Sequence, residues 1–143
     1  MNHIETRSVV VERDLAHPPE KVWRALTISE LMAEWMLPND FQPAVGHKFS
    51  LRTQPVGGWD GVVAGEVLEV EPPARLAYRW GVGDEATGIN TVVTWTLTAT
   101  RTGTHLRMEQ TGFRPEQERN YQGARYGWNK FFGGLEQVLT RID

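Results

Sequence analysis

The chain has 143 residues, of which 40% are hydrophobic and 23% are charged, and its formal net charge is -3. This length fits one hydrophobic core, so we expect a single domain over residues 1–143. The charge balance lacks the excess of Lys and Arg that neutralises phosphates, so nucleic acid is not an expected partner. The sequence contains no cysteine, which excludes disulfides and thiolate chemistry and suits a reducing cytoplasm.

Membrane insertion is not expected either. No segment approaches the run of about 20 apolar residues that a membrane-spanning helix requires. The N-terminal residues include Glu5 and Arg7 in place of an uninterrupted apolar stretch, so they do not resemble a secretion signal. We therefore expect a cytoplasmic protein without a membrane span.

The N-terminal part of the sequence predicts one strand followed by two short helices. Residues 4–15 are rich in β-branched side chains, which favours a strand. The strand should stop at Pro18 and Pro19, which also suit the first turn of a helix. Ser29 is the predicted N-cap of a second short helix, which Pro38 closes.

The central part of the sequence predicts a run of strands. From Gly46 onward the apolar residues alternate with polar ones, which is typical of strands with one buried face. Chain neighbours should pair as an antiparallel sheet, with a flexible loop at residues 81–88. The predicted strands cover residues 49–53, 62–70, 76–80 and 93–99, and a last strand follows the turn at residues 101–104.

A tight turn at residues 101–104 would set the pairing of the last two strands. In that register Leu97 lies opposite Met108 and Trp95 lies opposite Gln110, all on the inner face. A bulge would shift this register by one residue.

The C-terminal residues predict one long amphipathic helix. Apolar side chains recur there at alternating spacings of three and four residues, which indicates a helix over residues 120–142. Its length would be about 35 Å at 1.5 Å per residue, enough to cross the sheet. A sheet that grips one helix leaves a gap, and we expect this gap to be functional.

Glycines interrupt this predicted helix at Gly123, Gly127, Gly133 and Gly134. Each interior glycine costs about 1 kcal/mol relative to alanine, so the missing side chains should have a use. One interpretation is room for a ligand, or a helix that moves as a lid. The favoured alternative is a close approach of the helix backbone to the sheet.

The order of elements resembles the helix-grip fold of the START-like (SRPBCC) superfamily, which includes birch-pollen-allergen type proteins and bacterial polyketide cyclases. Residues 16–27, 68–76 and 103–106 are similar to one branch of it, the bacterial homologues of the activator of the ninety-kilodalton heat-shock protein ATPase. The resemblance implies an α+β fold. Its parts are a curved antiparallel sheet of about six strands, two short helices after the first strand and a long C-terminal helix.

A cavity between the sheet and the C-terminal helix is the predicted ligand site. Ligand pockets are mostly apolar with a few polar groups that fix orientation, and inner-face aromatic residues fit this description. For each of them the alternative is simple filling of the core. Gln110 must find a ligand, a neighbouring residue or a water as its partner. The predicted ligand-binding residues are Trp35, Phe49, Trp59, Tyr78, Trp80, Trp95, Met108, Gln110, Trp128 and Phe132.

Trp59, Glu66 and the histidines are further candidates for a functional role. Trp59 follows two glycines and is predicted to lie near the cavity mouth, or else to cover one end of the core. Glu66 could act as a general acid or base if it points inward, but an outward surface position is favoured. The histidines show no ligand spacing, so neither a metal nor a cofactor is predicted, and His105 is expected on the outer face.

Three functions are compatible with this sequence. The favoured one is a binding protein for a hydrophobic or aromatic small molecule. The resemblance also permits a polyketide cyclase-like or aromatase-like enzyme, for which no catalytic constellation is recognised. The third is an interaction protein that stimulates a chaperone ATPase, for which no charged docking strip is recognised.

Overall fold

The computed structural model describes residues 6–55, 60–83 and 88–143. The elements are β1 (Arg7–Leu15), α1 (Pro19–Thr27), α2 (Ser29–Trp35), β2 (Lys48–Arg52), β3 (Val62–Glu71), β4 (Arg75–Val82), β5 (Ile89–Ala99), β6 (Thr104–Phe113) and α3 (Glu118–Arg141). Within the described ranges the strands form a six-stranded antiparallel sheet in the order β1-β6-β5-β4-β3-β2. This architecture confirms the predicted α+β helix-grip fold.

Some predicted boundaries need correction. The loop predicted to begin at Gly81 begins later, because β4 continues to Val82, which pairs with Ile89 at the start of β5. Residues 84–87 of the predicted loop lie outside the described residues. Helix α3 begins at Glu118, before its predicted start, after a short 3-10 turn. Ser29 does not cap α2, because it is the first helical residue and its hydroxyl donates a hydrogen bond to the carbonyl oxygen of Asn39 at 3.0 Å.

The predicted register of β5 against β6 is wrong by two residues. Trp95 lies opposite Met108, and Gln110 lies opposite Val93. The strands are joined by the four-residue loop 100–103, in which the backbone N–H of Thr100 donates to the carbonyl oxygen of Gly103 at 2.9 Å. Because the error is an even number of residues, every side chain keeps its predicted face.

The hydrophobic core lies between the inner face of the sheet, the two short helices and the second half of α3. The buried residues of α3 all follow Gly127, and they are Trp128, Phe132, Leu135, Val138 and Leu139. The first half of α3 therefore covers the sheet without burying a side chain in it. Amphipathic helices gain most of their stability from such packed faces, so α3 is anchored mainly through its C-terminal half.

His105 lies on the outer face of β6, as predicted, but it is held between two carboxylates. Its Nδ1 lies 2.8 Å from Oδ1 of Asp14, and its Nε2 lies 2.8 Å from Oε1 of Glu12. Both partners come from β1, where Asp14 is directly opposite His105. The hydrogen bonds to Glu12 and then to Asp14 raise the pKa of His105 above its ordinary value.

We expect an NMR titration to give His105 a pKa above about 6.5, and Glu12→Gln to lower it. Because the folded-state pKa is raised, the protonated ring contributes stability fully below pH of about 6.5. This contribution is lost as pH rises through the folded-state pKa. His17 is an internal comparison, since burial and the charge of Lys21 lower its pKa. A His105 pKa at or below that of His17 would contradict the observed pairing.

Candidate ligand-binding site

An open cavity of about 740 Å³ lies between the inner face of the sheet and the first half of α3. The sheet wall includes Trp80 and Gln110, and the helix wall includes Asn120, Gly123 and Gly127. Small-molecule pockets typically measure about 300–1,000 Å³ and have mostly apolar walls. The size and composition of this cavity therefore suit an organic ligand.

The glycines of α3 have two different environments. A Cβ atom placed on Gly123 or Gly127 would meet nothing within 4 Å, and both residues line the cavity. Gly133 also has open space around it. The predicted close approach to the sheet is therefore wrong for these three. Gly134 does make a close approach, but to α2, where its Cβ would lie 3.3 Å from the Cβ of Trp35.

The cavity wall carries no formal charge among the residues that the structure describes. Thr53 and Asn120 are polar but lie exposed at the rim. Gln110 is the deep polar group, with 2% of its surface exposed. Because an unpaired charge is costly to bury, such a wall favours an uncharged ligand.

Gln110 belongs to a short chain of hydrogen bonds that joins the sheet to α3. The indole Nε1 of Trp128 donates to Oε1 of Gln110 at 2.7 Å, and Nε2 of Gln110 donates to Oγ1 of Thr91 at 2.9 Å. The Thr91 hydroxyl in turn donates to the carbonyl oxygen of Trp80 at 2.9 Å. The amide thus finds neighbouring residues as partners, and it holds the Trp128 ring at the edge of the cavity.

Three of the predicted ligand-binding residues line the cavity: Trp80, Gln110 and Trp128. The rings of Trp80 and Trp128 lie 5.2 Å apart between centroids, at an angle of 52°. Trp80 is only half-buried, so part of its ring is open to an occupant of the cavity. Aromatic groups commonly pack in tilted or offset arrangements of this kind.

Six other predicted residues lie in the packed core and do not line the cavity: Trp35, Phe49, Tyr78, Trp95, Met108 and Phe132. Trp95 illustrates their role, because its indole N–H donates to the Tyr78 hydroxyl at 2.9 Å. Burial raises the pKa of Tyr78 far above its usual range, which keeps this hydroxyl neutral. The remaining predicted residue, Trp59, lies outside the described residues.

Glu66 faces away from the cavity. It lies opposite Lys48 of β2 and Arg79 of β4, while the adjacent Val67 is buried. Since successive strand residues point to opposite faces, Glu66 points to the outer face of the sheet. Glu66 therefore has the outward surface position that the sequence favours over an inward one.

Sequence reasoning missed several residues of the site. Thr91 fixes the Gln110 amide, and Phe131 lines the cavity from α3. The signal for Thr91 was present, since the alternation of β5 continues back from Val93 through Thr91 to Ile89. No comparable signal existed for Phe131, because the helical period alone does not separate core-facing from cavity-facing positions.

In the described part of the chain, no group of three or more His, Asp or Glu side chains is arranged to hold a metal ion. None of the described helices combines the length and the apolar character needed to cross a lipid bilayer.

Solved structures include proteins similar to this chain. Protein MLL2253 from Mesorhizobium loti is 55% identical to it, with a TM-score of 0.86 over 96% of this chain and 99% of that one. CalU16 from Micromonospora echinospora is 22% identical, with a TM-score of 0.77 over 94% of this chain and 76% of that one. At that identity the likeness to CalU16 shows a shared fold alone.

A third similar structure is that of DynU16, described as a protein in the dynemicin biosynthetic locus. It is 27% identical, with a TM-score of 0.76 over 93% of this chain but only 47% of DynU16. No protein of curated function matches the chain. Residues 16–140 match the model of the family described as Activator of Hsp90 ATPase homolog 1-like protein. As the sequence resemblance predicted, the chain belongs to this AHSA1 family.

Proposed function

We propose that the protein binds an uncharged hydrophobic or aromatic small molecule in the cavity between the sheet and the first half of α3. The observation that carries this proposal is the open, largely apolar space of about 740 Å³, which Gly123 and Gly127 leave free of side chains. Burial of apolar ligand surface would supply about 25 cal/mol per Å² of driving force. The few polar groups of the cavity wall would then orient the bound ligand.

A cytoplasmic location and the absence of a nucleic-acid partner complete this proposal. The lack of cysteine supports the cytoplasmic location. The net charge of -3 supports the absence of a nucleic-acid partner. The whole chain, residues 1–143, is proposed to act as a single binding domain.

The two alternatives have weaker support. Enzymatic proton transfer needs a titratable group at the reacting atoms, and the described cavity wall offers no carboxylate, imidazole or amine. A chaperone role rests on the family description, which names an activator of the Hsp90 ATPase. An increase in the ATPase rate of Hsp90 on addition of this protein would support that role instead.

We expect Gly127→Leu to weaken binding of 1-aminoanthracene by at least tenfold. This probe is neutral and flat, and its fluorescence rises in apolar surroundings, so a titration gives its dissociation constant directly. The leucine side chain would project into open space at the cavity wall and occupy volume that the probe needs. A tenfold loss corresponds to about 1.4 kcal/mol of binding free energy.

Gly133→Leu is the matched control. It makes the same substitution on the same helix, also in open space, but at an exposed position that does not line the cavity. Its affinity for the probe should equal that of the wild type. Equal weakening by both variants, or a wild type that shows no saturable binding of the probe, would contradict the proposal.

A further inference from the structure

We propose that Gln110 selects ligands that present a hydrogen-bond acceptor, such as a carbonyl oxygen, on a neutral aromatic ring system. This inference rests on the proposed binding function and names the ligand chemistry that the site would recognise. Its basis is the fixed orientation of one buried amide.

The orientation of the Gln110 amide is fixed from both ends. The Trp128 indole N–H can only donate, so the atom that faces it at 2.7 Å must be the amide oxygen. The Thr91 hydroxyl uses its single hydrogen on the carbonyl oxygen of Trp80, so it can only accept from Gln110. A flipped amide would place two donors together at Trp128 and leave no hydrogen between the oxygens of Gln110 and Thr91.

This orientation leaves one donor of Gln110 available. The amide nitrogen carries two hydrogens, and Thr91 takes one of them. Among the described residues no acceptor meets the second hydrogen, and Gln110 lines the cavity. The amide oxygen already accepts from Trp128, whereas the second amide hydrogen has no acceptor, and a buried donor left unpaired costs free energy. The Gln110 group that remains available to a ligand is therefore a hydrogen-bond donor.

An occupant of the cavity would lie against Gln110 and shield its amide from water. A ligand with a suitably placed acceptor restores the hydrogen bond, while a purely apolar ligand leaves the donor unsatisfied. Trp80 and Trp128, whose rings lie 5.2 Å apart, border the same part of the cavity and suit a flat aromatic body. The expected ligand thus combines an aromatic ring with an acceptor at its edge.

Fluorene and 9-fluorenone provide a matched test, because they share one flat tricyclic frame and differ in a single carbonyl group. Their affinities are measured by displacement of 1-aminoanthracene from the wild type and from Gln110→Met. The ratio of fluorenone affinity to fluorene affinity should fall by at least fivefold in the variant. This ratio removes the difference in water solubility between the two ligands. Gln122→Met, the same change at an exposed helix position outside the cavity wall, should leave the ratio unchanged.

A second measurement needs only the wild type, in case Gln110→Met does not fold. In NMR spectra, a side-chain amide proton of Gln110 should move downfield with fluorenone and stay in place with fluorene. If both ligands bind but the affinity ratio or the amide shift does not distinguish them, selection by Gln110 is overturned and the binding function stands. If neither ligand nor the probe binds the wild type, both proposals are overturned.

Discussion

Replacing Trp95 with alanine is expected to lower the free energy of unfolding by about 3–5 kcal/mol. Trp95 is fully buried, stacks on Phe132 with 5.6 Å between ring centroids, and meets Trp35 edge-on at 5.9 Å. Its removal would leave a void in a close-packed region and deprive the Tyr78 hydroxyl of its donor. Urea unfolding followed by circular dichroism gives the difference in the free energy of unfolding between wild type and variant. The comparison requires that this free energy depends on urea concentration with the same slope in both proteins.

Trp80→Ala is the control for this effect. It deletes the same side chain from the adjacent strand β4, but at a half-buried position on the cavity wall. Because part of the Trp80 ring faces open space, its loss should cost only about 1–2 kcal/mol, within the usual range for single substitutions. Equal losses from the two variants would show that the cavity beside Trp80 is closed by packing.

The second large effect is expected at Gly134, where leucine should destabilise the protein by about 1–3 kcal/mol or more. A Cβ atom at this position would lie 3.3 Å from the Cβ of Trp35 and 3.4 Å from its Cα and carbonyl oxygen. These are atoms of the α2 backbone and its first side-chain carbon, so α3 and α2 would have to move apart. The same urea unfolding assay measures the loss.

The neighbouring Gly133→Leu variant should behave in the opposite way. Nothing lies within 4 Å of a Cβ at Gly133, and leucine favours a helix over glycine by up to about 1 kcal/mol. We therefore expect the same or slightly higher stability. A larger loss at Gly133 than at Gly134 would contradict the observed packing of α3 on α2.

The sequence predicted the order of elements and the faces of the strands because both follow from local periodicity. In β5 the alternation of apolar residues with threonines is strict, and the buried side of the strand is the apolar side. The register of β5 with β6 depends instead on the loop at residues 100–103. Gly103 of that loop lies against β1, where a Cβ atom added to it would collide with the carbonyl oxygen of Leu15. Local pattern carries no information about such a distant contact.

The division between core and cavity could not be predicted for similar reasons. Trp80 and Trp95 have the same residue type and the same inner face, yet one lines the cavity and the other is fully buried. The difference comes from α3, because its Phe132 stacks on Trp95, whereas Trp80 borders the space that Gly123 and Gly127 leave open. The pairing of His105 with Glu12 and Asp14 could not be predicted either, since these carboxylates lie more than ninety residues away in sequence.

The most direct measurement is an NMR titration of the nitrogen-15-labelled protein with 1-aminoanthracene. We predict saturable shifts of the Gly123 and Gly127 backbone amides and of the Trp80 indole N–H, which all belong to the cavity wall. The backbone amide of Gly133, farther along α3, should not move. Shifts confined to outer-face residues such as His105, or the absence of saturable shifts at the cavity wall, would contradict a ligand site between the sheet and α3.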